Sequence, residues 1–177
     1  MSSIHKVSSG MNVRPLLEAL LAHPELWDQT PHRTTPPHSP HYGLSDIYIR
    51  YSEKDPLDAT PHDSVWYPAA DVLPVKDLIF QLMHDVRGER LGGVLITKIP
   101  AGKVCKPHRD GGWHAGYYEK FGIQVQSAPG QEFCFDGESL GTEPGDVFWF
   151  DNAHTHWVTN PTPVDRITLI VTLKRSN

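Results

Sequence analysis

"GDVFWFDNAHTHWVTNPTPVDRITLIVTLK" occupies residues 145–174, and the way it is punctuated decides the fold. Apolar residues alternate through 145–150, 155–160 and 165–174, and the segments between them carry Asp, Asn and Pro, which favour turns. Such runs predict short antiparallel strands. In 165–174, period-two alternation puts Ile167, Leu169, Val171 and Leu173 on one face and Arg166, Thr168, Ile170 and Thr172 on the other. The first face packs and the second tolerates polarity.

The same pattern extends upstream through "GVLITKIP" (93–100), "KFGIQVQ" (120–126) and "EFCFDG" (132–137). In 120–126, Phe121, Ile123 and Val125 oppose Lys120, Gly122, Gln124 and Gln126, a polar lining suited to a barrel around a small ligand. The sequence therefore predicts a mainly β sandwich or barrel with no solenoid repeat. Before it, "DIYIRY" (46–51) reads as a strand. Asn12 is placed to cap a helix with Pro15 in its first turn and Val13, Leu16, Leu17, Leu20 and Leu21 on one face. A second helix is expected from Pro74 to Arg87, stopped by Gly88. We expect one domain over 1–177, with 1–90 a helical and stranded support carrying a possible lid, and 91–177 the β core.

Sixteen basic against 21 acidic residues give a formal charge of −5 with no Lys/Arg-rich block, which disfavours phosphate-driven nucleic-acid binding. Two cysteines, Cys105 and Cys134, are too few for a disulfide framework and suit a reducing, cytoplasmic location. No apolar run is long enough for a membrane span. The chain has 11 histidines and 16 prolines, many of them in "TPHRTTPPHSPHYG" (30–43), which reads as a surface loop with incidental histidines.

In "KPHRDGGWH" (106–114), His108 and Asp110 are one residue apart and would project to one side of an extended segment. Alone, that pair is a weak signal, more often a solvated loop than a metal site. His154 and His156 add distant imidazoles at a strand start, and two histidines with one carboxylate on one side of an ion form the facial arrangement of non-haem Fe(II) oxygenases. His114 reads as a loop residue, and the glycine- and aromatic-rich 111–118 as a mobile loop over the site.

With His-x-Asp, a distal His and an Arg ten residues beyond it, residues 91–174 resemble the 2-oxoglutarate and Fe(II)-dependent oxygenases. Within them, "GDVFWFDNAHTHWVTNPTPVDRITLIVTLK" is most similar to the aspartyl/asparaginyl β-hydroxylase group. The resemblance implies a double-stranded β-helix (jelly roll), with His108, Asp110 and His156 as Fe(II) ligands. His156 is preferred to His154 because it lies six residues after Phe150 and ten before Arg166. Arg166 would bind the distal carboxylate of 2-oxoglutarate. Lys120 stands where the group often has an Arg, and Gly122 where it often has a His, so Gln124 or another polar lining residue would substitute in holding the co-substrate. Asp110 favours hydroxylation over halogenation. The implied reaction consumes O2 and 2-oxoglutarate, forms succinate and CO2, and hydroxylates either an amino-acid side chain in a peptide or a free small molecule. The alternatives are a cupin-type metalloenzyme that uses no keto-acid and a non-catalytic jelly-roll binding module.

Overall fold

A computed structural model describes residues 2–54 and 60–176. Its strands are β1 (Ile4–Ser8), β2 (Ser45–Ser52), β3 (Ser64–Trp66), β4 (Gly88–Ile99), β5 (Val104–His108), β6 (Glu119–Gln126), β7 (Glu132–Phe135), β8 (Glu138–Gly141), β9 (Val147–Phe150), β10 (His156–Thr159) and β11 (Arg166–Arg175). The helices are α1 (Arg14–Ala22), α2 (Ala69–Val72), α3 (Lys76–Asp85) and α4 (Gly112–Tyr117). The strands form an antiparallel seven-stranded sheet, β1-β9-β6-β11-β4-β2-β3, and a four-stranded sheet, β5-β10-β7-β8. The mainly β jelly roll implied by the family resemblance is the fold observed.

The alternation of β11 and β6 sets the two sides of the large sheet. Ile167, Leu169, Val171 and Leu173, with Phe121, Ile123 and Val125, pack against Leu16 and Leu20 of α1 and Leu78, Ile79 and Leu82 of α3. Burying each such side chain contributes about 1.5–3 kcal/mol, so the helices are held by this face rather than by their short lengths. The opposite face looks across a cavity at the small sheet. Phe133, Phe135, Phe148, Phe150 and Val158 form a second apolar cluster there.

Several local expectations need correction. The first helix begins at Arg14 with Val13 as its N-cap and no side-chain cap bond, so Asn12 does not cap it. Leu21 is exposed, because the helix needs only a narrow stripe against the sheet. The second helix runs from Lys76 to Asp85, Arg87 makes the left-handed turn after it at φ 57°, and Gly88 starts β4 rather than stopping the helix. The segment 111–118 contains α4 instead of an irregular loop. β1 pairs with β9 and β2 with β4, so strands from the first ninety residues extend the main sheet.

Candidate metal centre and its cavity

β10 lies between β5 and β7, with His156 directly opposite His108. The two rings stand 4.4 Å apart. Phe133, Phe135 and Phe150 surround the His156 imidazole at 5.6–5.7 Å and hold its orientation. His108 Nδ1 lies 2.7 Å from the Lys106 carbonyl, and His156 Nδ1 lies 2.9 Å from the His154 carbonyl. A carbonyl only accepts, so both Nδ1 atoms carry hydrogen and both Nε2 atoms keep a lone pair.

Those Nε2 atoms face Asp110. His108 Nε2 is 3.7 Å from Asp110 Oδ1, and His156 Nε2 is 3.9 Å from Asp110 Oδ2. One donor atom from each of the three residues lies within 4.8 Å of the others. Asp110 follows β5 and is fixed by its backbone N–H, which donates to the Asn152 carbonyl at 3.1 Å. Asn152 Nδ2 in turn donates to the Ala115 carbonyl of α4. Thus the Asp-Asn turn after β9 fastens the carboxylate.

Burial keeps both imidazoles below the usual histidine range and therefore neutral. Burial alone would raise the Asp110 carboxyl, but the Lys120 ammonium, 2.5 Å from Oδ2, outweighs it and holds the group ionised. Two neutral imidazoles and a carboxylate converging from one side, with the other side open to the cavity, suit Fe(II) and leave room for further ligands. His154 is outside this set: its ring is exposed and pairs with Asp151, while its carbonyl orients His156.

The cavity between the sheets is lined by Thr97, Cys105, Phe133, Val158 and Ile170 besides the three donors. Arg166 stands in its wall, fully buried at 1% exposure. Its Nη2 donates to Thr142 Oγ1 at 3.1 Å, Nη1 has no partner among the described residues, and burial pushes the guanidinium down to about 10. A buried cation with an orphaned donor is costly unless an anion meets it, and a carboxylate fits the planar fork. Lys120 and Thr168 also line the cavity.

Gln124 is buried but does not line the cavity. Its Nε2 donates to the carbonyls of Gln126 and Ile167, and its Oε1 accepts from Thr142 Oγ1. It supports the residue that supports Arg166. At Gly122 an added Cβ would lie 2.2 Å from Cζ of Phe148, so the Phe148 ring fills the place of any larger residue. The ten-residue interval from His156 to Arg166 also has a structural basis. Asn160 Nδ2 donates to the Ile99, Pro100 and Val164 carbonyls, and Gln131 Nε2 reaches Asn160 Oδ1, tying the turn so that β11 begins with Arg166 facing inward.

Residues 30–43 are not an incidental surface loop. Arg33 donates from Nε and Nη2 to Asp46 at 2.5 and 2.8 Å and from Nη2 to Thr97 Oγ1 at 2.9 Å. His41 stands 4.7 Å from the His108 ring, and both Arg33 and His41 line the cavity. Proline and histidine content gave no hint of this placement, which depends on tertiary pairing with Asp46. His114 lies outside the donor set. It is buried in α4 and accepts the Gly93 N–H at 3.2 Å. A second cavity, between Tyr48, Tyr51, Trp113 and His114, meets the first at Asp110 and Lys120.

The family model described as Aspartyl/Asparaginyl beta-hydroxylase matches residues 72–176. No curated protein matches the chain significantly in sequence. Among solved structures, a Burkholderia pseudomallei oxidoreductase of the 2OG-Fe(II) oxygenase family is 20% identical, with 76% of this chain and 67% of that one covered at a TM-score of 0.55. A Pseudomonas putida prolyl-4-hydroxylase is 14% identical over 98% and 93% of the two chains (TM-score 0.58). A Trichoplax adhaerens prolyl hydroxylase, solved in complex with a hypoxia inducible factor oxygen degradation domain peptide fragment, is 11% identical over 97% and 83% (TM-score 0.60). At these identities the likeness is one of fold. The family match spans more than half of the chain, which therefore belongs to the aspartyl/asparaginyl β-hydroxylase family.

Proposed function

We propose that this protein is a 2-oxoglutarate- and Fe(II)-dependent dioxygenase that hydroxylates an amino-acid side chain in a peptide or a free small molecule. The observation that carries this reading is a single cavity with His108, Asp110 and His156 converging in it and the unpartnered Nη1 of Arg166 in its wall. His108, Asp110 and His156 would hold Fe(II), and Arg166 the distal carboxylate of 2-oxoglutarate. Iron held there would activate O2, whose four reducing equivalents come from the oxidative decarboxylation of 2-oxoglutarate and from the substrate C–H bond, so that one oxygen atom enters succinate, released with CO2, and the other the substrate.

The protein's part is positioning. Thr142 sets the guanidinium, with Gln124 behind it, and Lys120 offers a second cation to the co-substrate. Phe133, Phe150 and Val158 keep the cavity apolar, which limits stray water around the reacting groups. The second cavity, opening between Tyr51 and Trp113 and reaching Asp110, is the approach for the substrate carbon. A cupin-type chemistry without a keto-acid would leave Arg166 without a task.

Anaerobic addition of Fe(II) and 2-oxoglutarate tests the proposal. A weak visible charge-transfer band should need both, and air should then yield succinate. Absence of the band with both present, or its survival in Asp110→Ala, would overturn the reading.

A further inference from the structure

A second donor set adjoins the first. In the β5–β10 pair, His156 lies opposite His108 and Val158 opposite Cys105, so two steps along β10 span three along β5. The extra residue falls at Lys106-Pro107, where a bulge suits a proline that cannot donate to the ladder. It turns Cys105 and His108 toward the same cavity, although strict alternation would separate them. The 30–43 segment brings His41 to the same wall, its position set by the Lys106 N–H, which donates to the Pro40 carbonyl at 2.9 Å. One donor atom from each of His41, Cys105 and His108 lies within 4.8 Å of the others.

Sulfur distinguishes this set. A thiolate with two imidazoles favours Zn(II), Cd(II) or Cu(I), whereas the neighbouring nitrogen and carboxylate donors suit Fe(II). His108 belongs to both sets but has one lone pair to give, because its Nδ1 hydrogen is held by the Lys106 carbonyl. One ion at a time can use it.

We propose that His41, Cys105 and His108 form a site for a thiophilic divalent ion, and that filling it withdraws His108 from the His108–Asp110–His156 centre and expels the ion held there. The expulsion rests on the reading of that centre as a metal site; the thiolate site does not. Binding forms a metal–sulfur bond, breaks the Cys105 S–H bond and releases its proton to solvent, with no change of oxidation state. His41 must give up its 3.2 Å contact with Arg33 Nη1, but Arg33 keeps its bonds to Asp46 and Thr97.

The test titrates Cd(II) into the full-length protein loaded with Mn(II). An ultraviolet cadmium–thiolate band should grow to one equivalent, while free Mn(II) appears in step by electron paramagnetic resonance. Cys105→Ser, or Cys105→Ala if the serine variant misfolds, should lose the band and raise the Cd(II) needed to expel Mn(II) at least tenfold, with Mn(II) affinity within twofold of wild type. Cys134→Ser should behave as wild type, and Asp110→Ala should lose Mn(II) but keep the band. No band in the wild type, or a band that survives in the Cys105 variant, overturns the site. A full band with Mn(II) still bound overturns the expulsion. Failure of the wild type to bind Mn(II), with a Cys105-dependent band intact, defeats the iron reading and supports the thiolate site.

Discussion

His108 and His156 face one another across β5 and β10, and each donates its Nδ1 hydrogen to the carbonyl two residues before it, Lys106 and His154. The same local device sets both tautomers and turns both Nε2 atoms to Asp110.

This relationship separates two histidines that stand two residues apart. His154 acts through its backbone, which any residue supplies, so His154→Ala should leave metal affinity within about twofold. His156→Ala removes the proposed ligand itself and should cost more than the roughly 10–100-fold typical of losing a supporting partner. Calorimetric Mn(II) binding to both variants checks this. Equal losses would reverse the assignment of the two residues.

The faces of β6 and β11 were legible in the sequence because alternation in a sheet is strict, and it put Arg166 on the side that lines the cavity and Leu169 on the packed one. The convergence of His108, Asp110 and His156 was legible through spacing and family resemblance together. What was hidden came from long-range placement. Arg33 is defined by its bond to Asp46, and β1 by its pairing with β9, neither of which has a local pattern. Gln124 misled because a buried polar side chain on an inward-reading strand looks like a ligand contact, whereas here it satisfies Thr142 and two carbonyls. Asn152 was visible only as part of a turn motif.

Gly122 and Phe148 occupy one space. An added Cβ at residue 122 would come within 2.2 Å of the fully buried Phe148 ring. Gly122→Ala should therefore destabilise by about 1–3 kcal/mol, as overpacked cores do. In a Phe148→Leu background the same change should cost less, giving a coupling of at least about 0.5 kcal/mol in a denaturant double-mutant cycle. Additive effects would show that the ring moves aside freely.

Asp146 fastens β1 to the turn before β9. It accepts from the Glu143 backbone N–H at 2.8 Å, Ser9 Oγ at 2.8 Å and Lys6 Nζ at 2.7 Å. Burial would raise its pKa, but the Glu143 bond and the Lys6 and Ser9 contacts together hold it below the usual carboxylate range. The folded form thus binds this proton less readily than the unfolded chain. Its stabilisation is complete above an unfolded pKa of about 3.9 and is lost as pH falls through the lower folded value. Asp146→Asn should melt below wild type at neutral pH, and the gap should close below about pH 4. A gap that stays constant to low pH would remove the carboxylate charge from the account.

Arg166 joins a stability cost to the 2-oxoglutarate-binding role proposed for it. Among the described residues no carboxylate pairs with this buried guanidinium, and Nη1 meets no acceptor. Desolvating an uncompensated charge is unfavourable, so an apolar side chain of similar length should be easier to bury. Arg166→Met should accordingly raise the melting temperature measured without 2-oxoglutarate. The same variant should lose about 2–5 kcal/mol of 2-oxoglutarate binding, the usual cost of removing one partner of a buried charged pair. Wild-type protein at 100 times its dissociation constant should gain about 2.7 kcal/mol of stability, and Arg166→Met almost none at the same concentration. Arg166→Lys should fall between them, since an ammonium keeps the charge but loses the planar pair of donors. Thermal melts of the three proteins with and without 2-oxoglutarate separate the two roles. A variant that melts lower than wild type without ligand and is still stabilised by it would show that Arg166 serves the fold and not the co-substrate.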